Sequence, residues 1–102
     1  MVNTVVEFTL MDDSVVKLTL TYARLYKVRA ENKEVYDRYN KVMMEGSKDE
    51  FDNLFLLYTA YLCGLVGTEE TPMSFEDFME QVPPNRKDVQ TAIRRLVYPA
   101  KK

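Results

Sequence analysis

Carboxylates, lysines, arginines and one thiol are nearly all that this sequence offers for acid–base, nucleophilic or metal chemistry. Histidine is absent, which removes the Ser-His and Cys-His nucleophilic schemes and the commonest metal ligand. The single cysteine, Cys63, permits neither an intramolecular disulfide nor a Cys-x-x-Cys zinc or redox site. Its apolar helical surroundings favour a small buried residue over a reactive thiol. The three glycines, Gly46, Gly64 and Gly67, are too scattered for a phosphate-cradling loop. Carboxylates with Lys and Arg could support general acid–base chemistry, but no spacing gathers them into a pocket. The expectation is a protein that is not an enzyme, with no catalytic residue, no metal and no cofactor.

What remains is recognition through side-chain surface, and its elements can be read from periodicity. Residues 2–10 alternate, with Thr4, Val6, Phe8 and Leu10 opposed to Val5, Glu7 and Thr9. Residues 15–20 do the same, with Val16, Leu18 and Leu20 opposed to Val15, Lys17 and Thr19. Period-2 patterning rich in β-branched residues predicts strands, and Asp12-Asp13-Ser14 supplies turn chemistry between them. A lone hairpin is marginal in water, so it must pack on helices or extend its sheet through another chain's edge.

After Thr21 the period changes. Leu25, Val28, Asn32, Val35, Tyr39 and Val42 recur at alternating intervals of three and four, the stripe of an amphipathic helix. Continuous to Glu45, it would span about 36 Å. Asn32 is the polar exception, either a kink or break or a register-setting group in a helix–helix seam. Gly46 closes this helix, and Ser47-Lys48-Asp49-Glu50 reads as a capping box for the next. That second helix, from about Asp49 to Val66, is apolar nearly all round, as expected of a bundle's centre. Gly67 suits a left-handed stop. Ser74 caps a short helix ended by Pro83-Pro84, and Asn85 caps a last one ended by Pro99. The predicted fold is α+β and mostly α, an N-terminal β-hairpin followed by a small bundle of about four helices. One domain is expected over residues 1–102, with the hairpin in 1–20, the helical part in 21–98 and a tail at 99–102.

Charge is unevenly spread although the net is −2. Residues 14–41 balance at +4, 42–85 at −8 and 86–102 at +5. Such opposite-signed segments are either ordinary solvated faces or patches that favour association with an oppositely charged surface. Arg86, Lys87, Arg94, Arg95, Lys101 and Lys102 make the last helix basic, yet a pI of about 5.2 is low for a nucleic-acid binder. Nucleic acid is therefore not the expected partner, and neither is a membrane. Seven Tyr and six Met, without Trp, form the other compositional lean. Tyr22, Tyr26, Tyr36, Tyr39, Met43 and Met44 recur along the first long helix, where their area and adaptability suit a client-binding surface as well as packing. Val5, Glu7, Thr9, Val15, Lys17, Thr19 and Asn32 are the candidate self-association residues.

The order of elements, with Leu57-Tyr58-Thr59-Ala60-Tyr61-Leu62 in the central helix and Met73-Ser74-Phe75-Glu76-Asp77-Phe78-Met79 after a polar loop, resembles the tail assembly chaperones of long-tailed bacteriophages. The resemblance covers most of the chain and is strongest from Phe51 to Val82. It implies a role in virion morphogenesis: binding the tape measure protein and keeping it soluble until tail tube subunits polymerise around it. It further implies partners in the tape measure protein and the tail tube protein, a homo-oligomer, action in the host cytoplasm and absence from the mature virion. Many such chaperones also occur in a longer, frameshifted form, and Lys101-Lys102 would be encoded by the A-rich codons that slippery sites use. The alternative is a small phage or bacterial regulatory protein that binds DNA or a repressor through its basic C-terminal helix.

Overall fold

The computed structural model describes residues 5–97. Strands β1 (Val6–Thr9) and β2 (Val15–Leu18) pair antiparallel, with Val6 opposite Leu18 and Thr9 opposite Val15. Both are shorter than the alternation predicts. The turn between them is built from its aspartates. Leu10 N–H donates to Ser14 O at 2.8 Å, and Asp13 N–H donates to Leu10 O at 3.0 Å. The Asp12 carboxylate accepts from Ser14 N–H and Oγ–H at 3.0 and 2.6 Å, which holds its pKa below the usual value. Asp13 has φ 69°, the left-handed conformation that Asp tolerates better than most residues.

Five helices follow: α1 (Tyr22–Glu31), α2 (Lys33–Glu45), α3 (Glu50–Leu65), α4 (Phe75–Gln81) and α5 (Arg86–Val97). The fold is α+β and mostly α as predicted, but with five helices rather than about four. Asn32 makes the difference. Its φ of −148° and ψ of 70° are non-helical, so the long predicted helix breaks there and α1 packs back on α2. The seam reading of Asn32 gives way to the break, and its side chain caps neither helix.

The start of α3 also differs from the predicted capping box. Asp49, not Ser47, is the N-cap, its Oδ1 accepting from Phe51 and Asp52 N–H at 3.0 and 3.1 Å. Asp52 reaches back to Lys48 N–H at 2.9 Å, while Ser47 bonds Asn53. The caps expected at Ser74 and Asn85 are present. The strand residues before Val5 and the expected tail at 99–102 lie outside the described residues.

Helix α3 is the axis of the fold: β2, α1, α2, α4 and α5 all lie against it, while β1 packs on β2 and α5. Residues Leu56 to Cys63 are buried without interruption, which explains the lack of a polar face in the sequence. Thr59 satisfies its buried hydroxyl by donating to Phe55 O at 2.8 Å. The loop after α3 is pinned from the core. Tyr58 OH donates to Met73 O at 2.6 Å, and Tyr61 OH accepts from Met73 N–H at 2.9 Å. Around these phenols Phe55, Phe75 and Phe78 stack or tilt at ring separations of 4.0 to 5.8 Å.

Candidate functional site

The break at Asn32 converts one amphipathic stripe into two walls of a groove. On α1, Tyr22, Leu25, Tyr26 and Arg29 follow i, i+3, i+4 and i+7; on α2, Tyr36, Tyr39, Asn40 and Met43 repeat the same intervals. Residues so spaced share one helix face. Folding α1 back on α2 turns the faces toward each other and leaves a groove of about 360 Å³ lined by these eight residues. Leu25 and Tyr39 are buried and form its floor. Tyr22 and Tyr26, 92% and 70% exposed, and Met43, 44% exposed, stand on the rim.

The groove is aromatic, soft and slightly cationic. Tyr36 and Tyr39 lie 5.9 Å apart, and the Arg29 guanidinium sits 6.0 Å from the Tyr36 ring. Arg29 is the single charged lining residue. Burial pushes the Tyr39 phenol up to about 12, with smaller contributions from Cys63, Tyr36 and Tyr22, so the floor stays neutral. Such a surface can take apolar side chains from a partner and favours an acidic group beside them.

Five of the six candidate client-binding residues, Tyr22, Tyr26, Tyr36, Tyr39 and Met43, are thus brought to one groove. Met44 is 78% exposed but lies outside the lining, where its sulfur accepts a weak bond from Asn40 Nδ2 at 3.7 Å. Sequence reasoning did not single out Arg29 or Asn40 for the site. The signal was present, since both complete the i, i+3, i+4, i+7 pattern once the helix is broken at Asn32.

The candidate self-association residues separate into two groups. Val5, Glu7, Thr9, Val15 and Lys17 are exposed. Thr19 is not: it is 4% exposed, and its N–H donates to Ala60 O at 3.3 Å. Strand β2 ends at Leu18, so the alternation no longer governs Thr19, and the chain there dives against α3. Gly64 permits this approach, because a Cβ at that position would stand 2.0 Å from Lys17 O. The β2 edge is therefore covered by α3, and Thr19 is withdrawn as a surface contact. Asn32 is half-buried at the α1–α2 junction.

Two further features bear on other readings. A cleft of about 660 Å³ lies between α3, α4 and α5, floored by Leu54, Met79, Val82 and Val89, with the Glu50–Arg86 ion pair (3.0 Å) at its edge. On α5, Lys87, Arg94 and Arg95 have no ion-pair partner among the described residues. Cys63 is fully buried, and burial pushes its thiol up to about 12 despite the opposing effect of Arg24. Arg24 itself donates from Nη1 to Cys63 O at 2.8 Å and Val66 O at 3.2 Å, closing the C-terminus of α3. Among the described residues no cluster could hold a metal ion, and no helix is long and apolar enough to cross a membrane. No known protein family, curated protein or solved structure matches this chain.

Proposed function

We propose that this protein is a phage tail assembly chaperone that binds amphipathic helical stretches of the tape measure protein and keeps them soluble during tail morphogenesis. The observation that carries the reading is the α1–α2 groove, where exposed Tyr22, Tyr26 and Met43 surround a floor of Leu25 and Tyr39. An unassembled tape measure protein exposes long apolar helical stripes. A small domain offering aromatic and methionine side chains can cover such a stripe and be displaced later, because the contacts are adaptable rather than geometrically strict. The order of hairpin, broken long helix, aromatic central helix and Ser74-capped short helix supports the same family. In this reading the protein works without catalytic chemistry or a cofactor, in the host cytoplasm, as an oligomer that does not remain in the virion.

The test is retention of the tape measure protein from the same locus in a pull-down. Met43→Asp combined with Tyr26→Asp should abolish retention while circular dichroism stays unchanged, because both side chains are exposed. Met44→Asp, outside the groove, should weaken retention less. Undiminished retention by the double variant would remove the groove from the account.

A further inference from the structure

The α1–α2 groove has two unlike ends. At the corner where the chain breaks at Asn32, Arg29 lies beside Tyr36, its guanidinium 6.0 Å from the ring. Tyr22 precedes Arg29 by seven residues and Met43 follows Tyr36 by seven, so each stands about 10.5 Å along its own helix from that corner. The corner end is therefore cationic and the far end phenol and thioether, with Leu25 and Tyr39 flooring the space between. No carboxylate is among the described residues that line the groove. Arg29 is exposed and has no ion-pair partner among the described residues, whereas Lys33, the next cation along the chain, is held by Asp37 at 2.7 Å.

The walls decide what form of chain fits. Both are helices, so their backbone N–H and C=O groups are engaged in intrahelical bonds and offer no edge for an added strand. Side chains remain, and a helix laid in the groove by its own apolar anchors is the mode that binds through side chains alone. A volume of about 360 Å³ is near the lower end of ordinary ligand pockets, room for an anchor or two rather than a whole apolar face. A lone cation suits a single carboxylate and not a nucleic acid, whose phosphates draw on several. The chain's own undescribed ends do not suit the corner either, since neither residues 1–4 nor residues 98–102 contain Asp or Glu and the latter carry Lys101 and Lys102.

We propose that Arg29 selects and orients the client: the groove takes an amphipathic helix whose apolar anchors at i and i+4 enter between Tyr22, Tyr26 and Met43, and whose Asp or Glu at i+7 pairs with Arg29. Seven residues of helix rise about 10.5 Å, the distance from the far end of the groove to its corner. The C-terminal end of a helix is itself partly negative, so the corner favours the client's C-terminal turn and the acid follows its anchors rather than preceding them. This selection rests on the groove reading above and adds to it the client's charge pattern and direction.

Fluorescence anisotropy with labelled synthetic helices of roughly five turns tests it. Each peptide carries Leu at i and i+4 in an Ala- and Gln-rich background, with Glu, Gln or Lys at i+7; a reversed peptide has Gln at i+7 and its Glu one turn before the first Leu. Wild-type protein should bind the Glu peptide roughly fivefold tighter than the Gln or the reversed peptide, and the Lys peptide most weakly. Arg29→Gln should bring the Glu and Gln peptides level, and Arg29→Glu should place Lys ahead of Glu, with circular dichroism unchanged in both. Arg38→Gln removes another exposed cation, one that lies outside the groove 4.3 Å from the Phe55 ring, and should leave the order intact. The same order of peptides on Arg29→Glu as on wild type, equal binding of the reversed peptide, or selectivity lost equally through Arg38→Gln would overturn this selection and leave the groove standing. Binding of none of the peptides, or binding untouched by Met43→Asp with Tyr26→Asp, would overturn it together with the groove.

Discussion

Adding one methyl group at Gly64 should dislodge β2 from α3. A Cβ at this position would stand 2.0 Å from Lys17 O and 3.0 Å from Lys17 C, both backbone atoms that no rotamer change can move. A relaxed carbon–oxygen contact is about 3.3 Å, so the strand must retreat by about 1.3 Å. Retreat strains the packing of Leu18, which is fully buried, at a cost of about 1–3 kcal/mol. It also lengthens the 3.3 Å bond from Thr19 N–H to Ala60 O beyond a useful distance, worth about 1 kcal/mol. Against this, Ala is the better helix former by about 1 kcal/mol. Gly64→Ala should therefore destabilise by about 2 kcal/mol, a fall in Tm of roughly 10 °C for a domain of this size. Thermal unfolding by circular dichroism, checked by urea titration, reads the change. A Gly64→Ala protein as stable as wild type would refute the close contact, and with it the covering of the β2 edge by α3.

Tyr58→Phe deletes the donor to Met73 O while preserving the ring stack, and should cost about 1–2 kcal/mol by urea unfolding. Unchanged stability would mean that the loop after α3 is not held by this bond. Alkaline conditions should weaken the fold through Tyr39 and Cys63, whose folded values of about 12 exceed their ordinary values of 10.0 and 9.0. The folded chain then holds these protons more tightly than the unfolded chain, so their contribution is intact below about pH 9 and lost as pH rises toward 12. Urea midpoints measured from pH 7 to 11 should be level at first and then fall, and Cys63→Ala should flatten the first part of the decline. A midpoint that rises across this range would contradict the burial of both groups.

The elements that sequence periodicity revealed are those whose determinants are local. The hairpin, the apolar central helix and the Ser74 and Asn85 caps depend on neighbours within a few residues. Asn32 was visible as the one polar residue in a stripe, but choosing between a break and a seam needed to know what α1 packs against. The cap fell on Asp49 rather than Ser47 because two capping residues two positions apart can each open the helix, and spacing alone does not choose between them. Other features rest on distant partners. Arg24 meets Cys63 O across 39 residues, and Tyr58 meets Met73 O across 15. The burial of Thr19 and the close approach at Gly64 likewise arise only when β2 lies on α3. The Tyr and Met rim was legible as composition, whereas its concavity followed from the break.

Methionine methyl NMR tests the central claim most directly. The protein, labelled at its methionine methyl groups, is titrated with an amphipathic helical segment of the tape measure protein. The account predicts that the Met43 resonance moves and broadens, while Met73, half-buried under Tyr58 and Tyr61, and Met79, in the cleft between α3, α4 and α5, hold their positions. Movement of Met79 with Met43 unchanged would contradict it and place client binding in the other cleft.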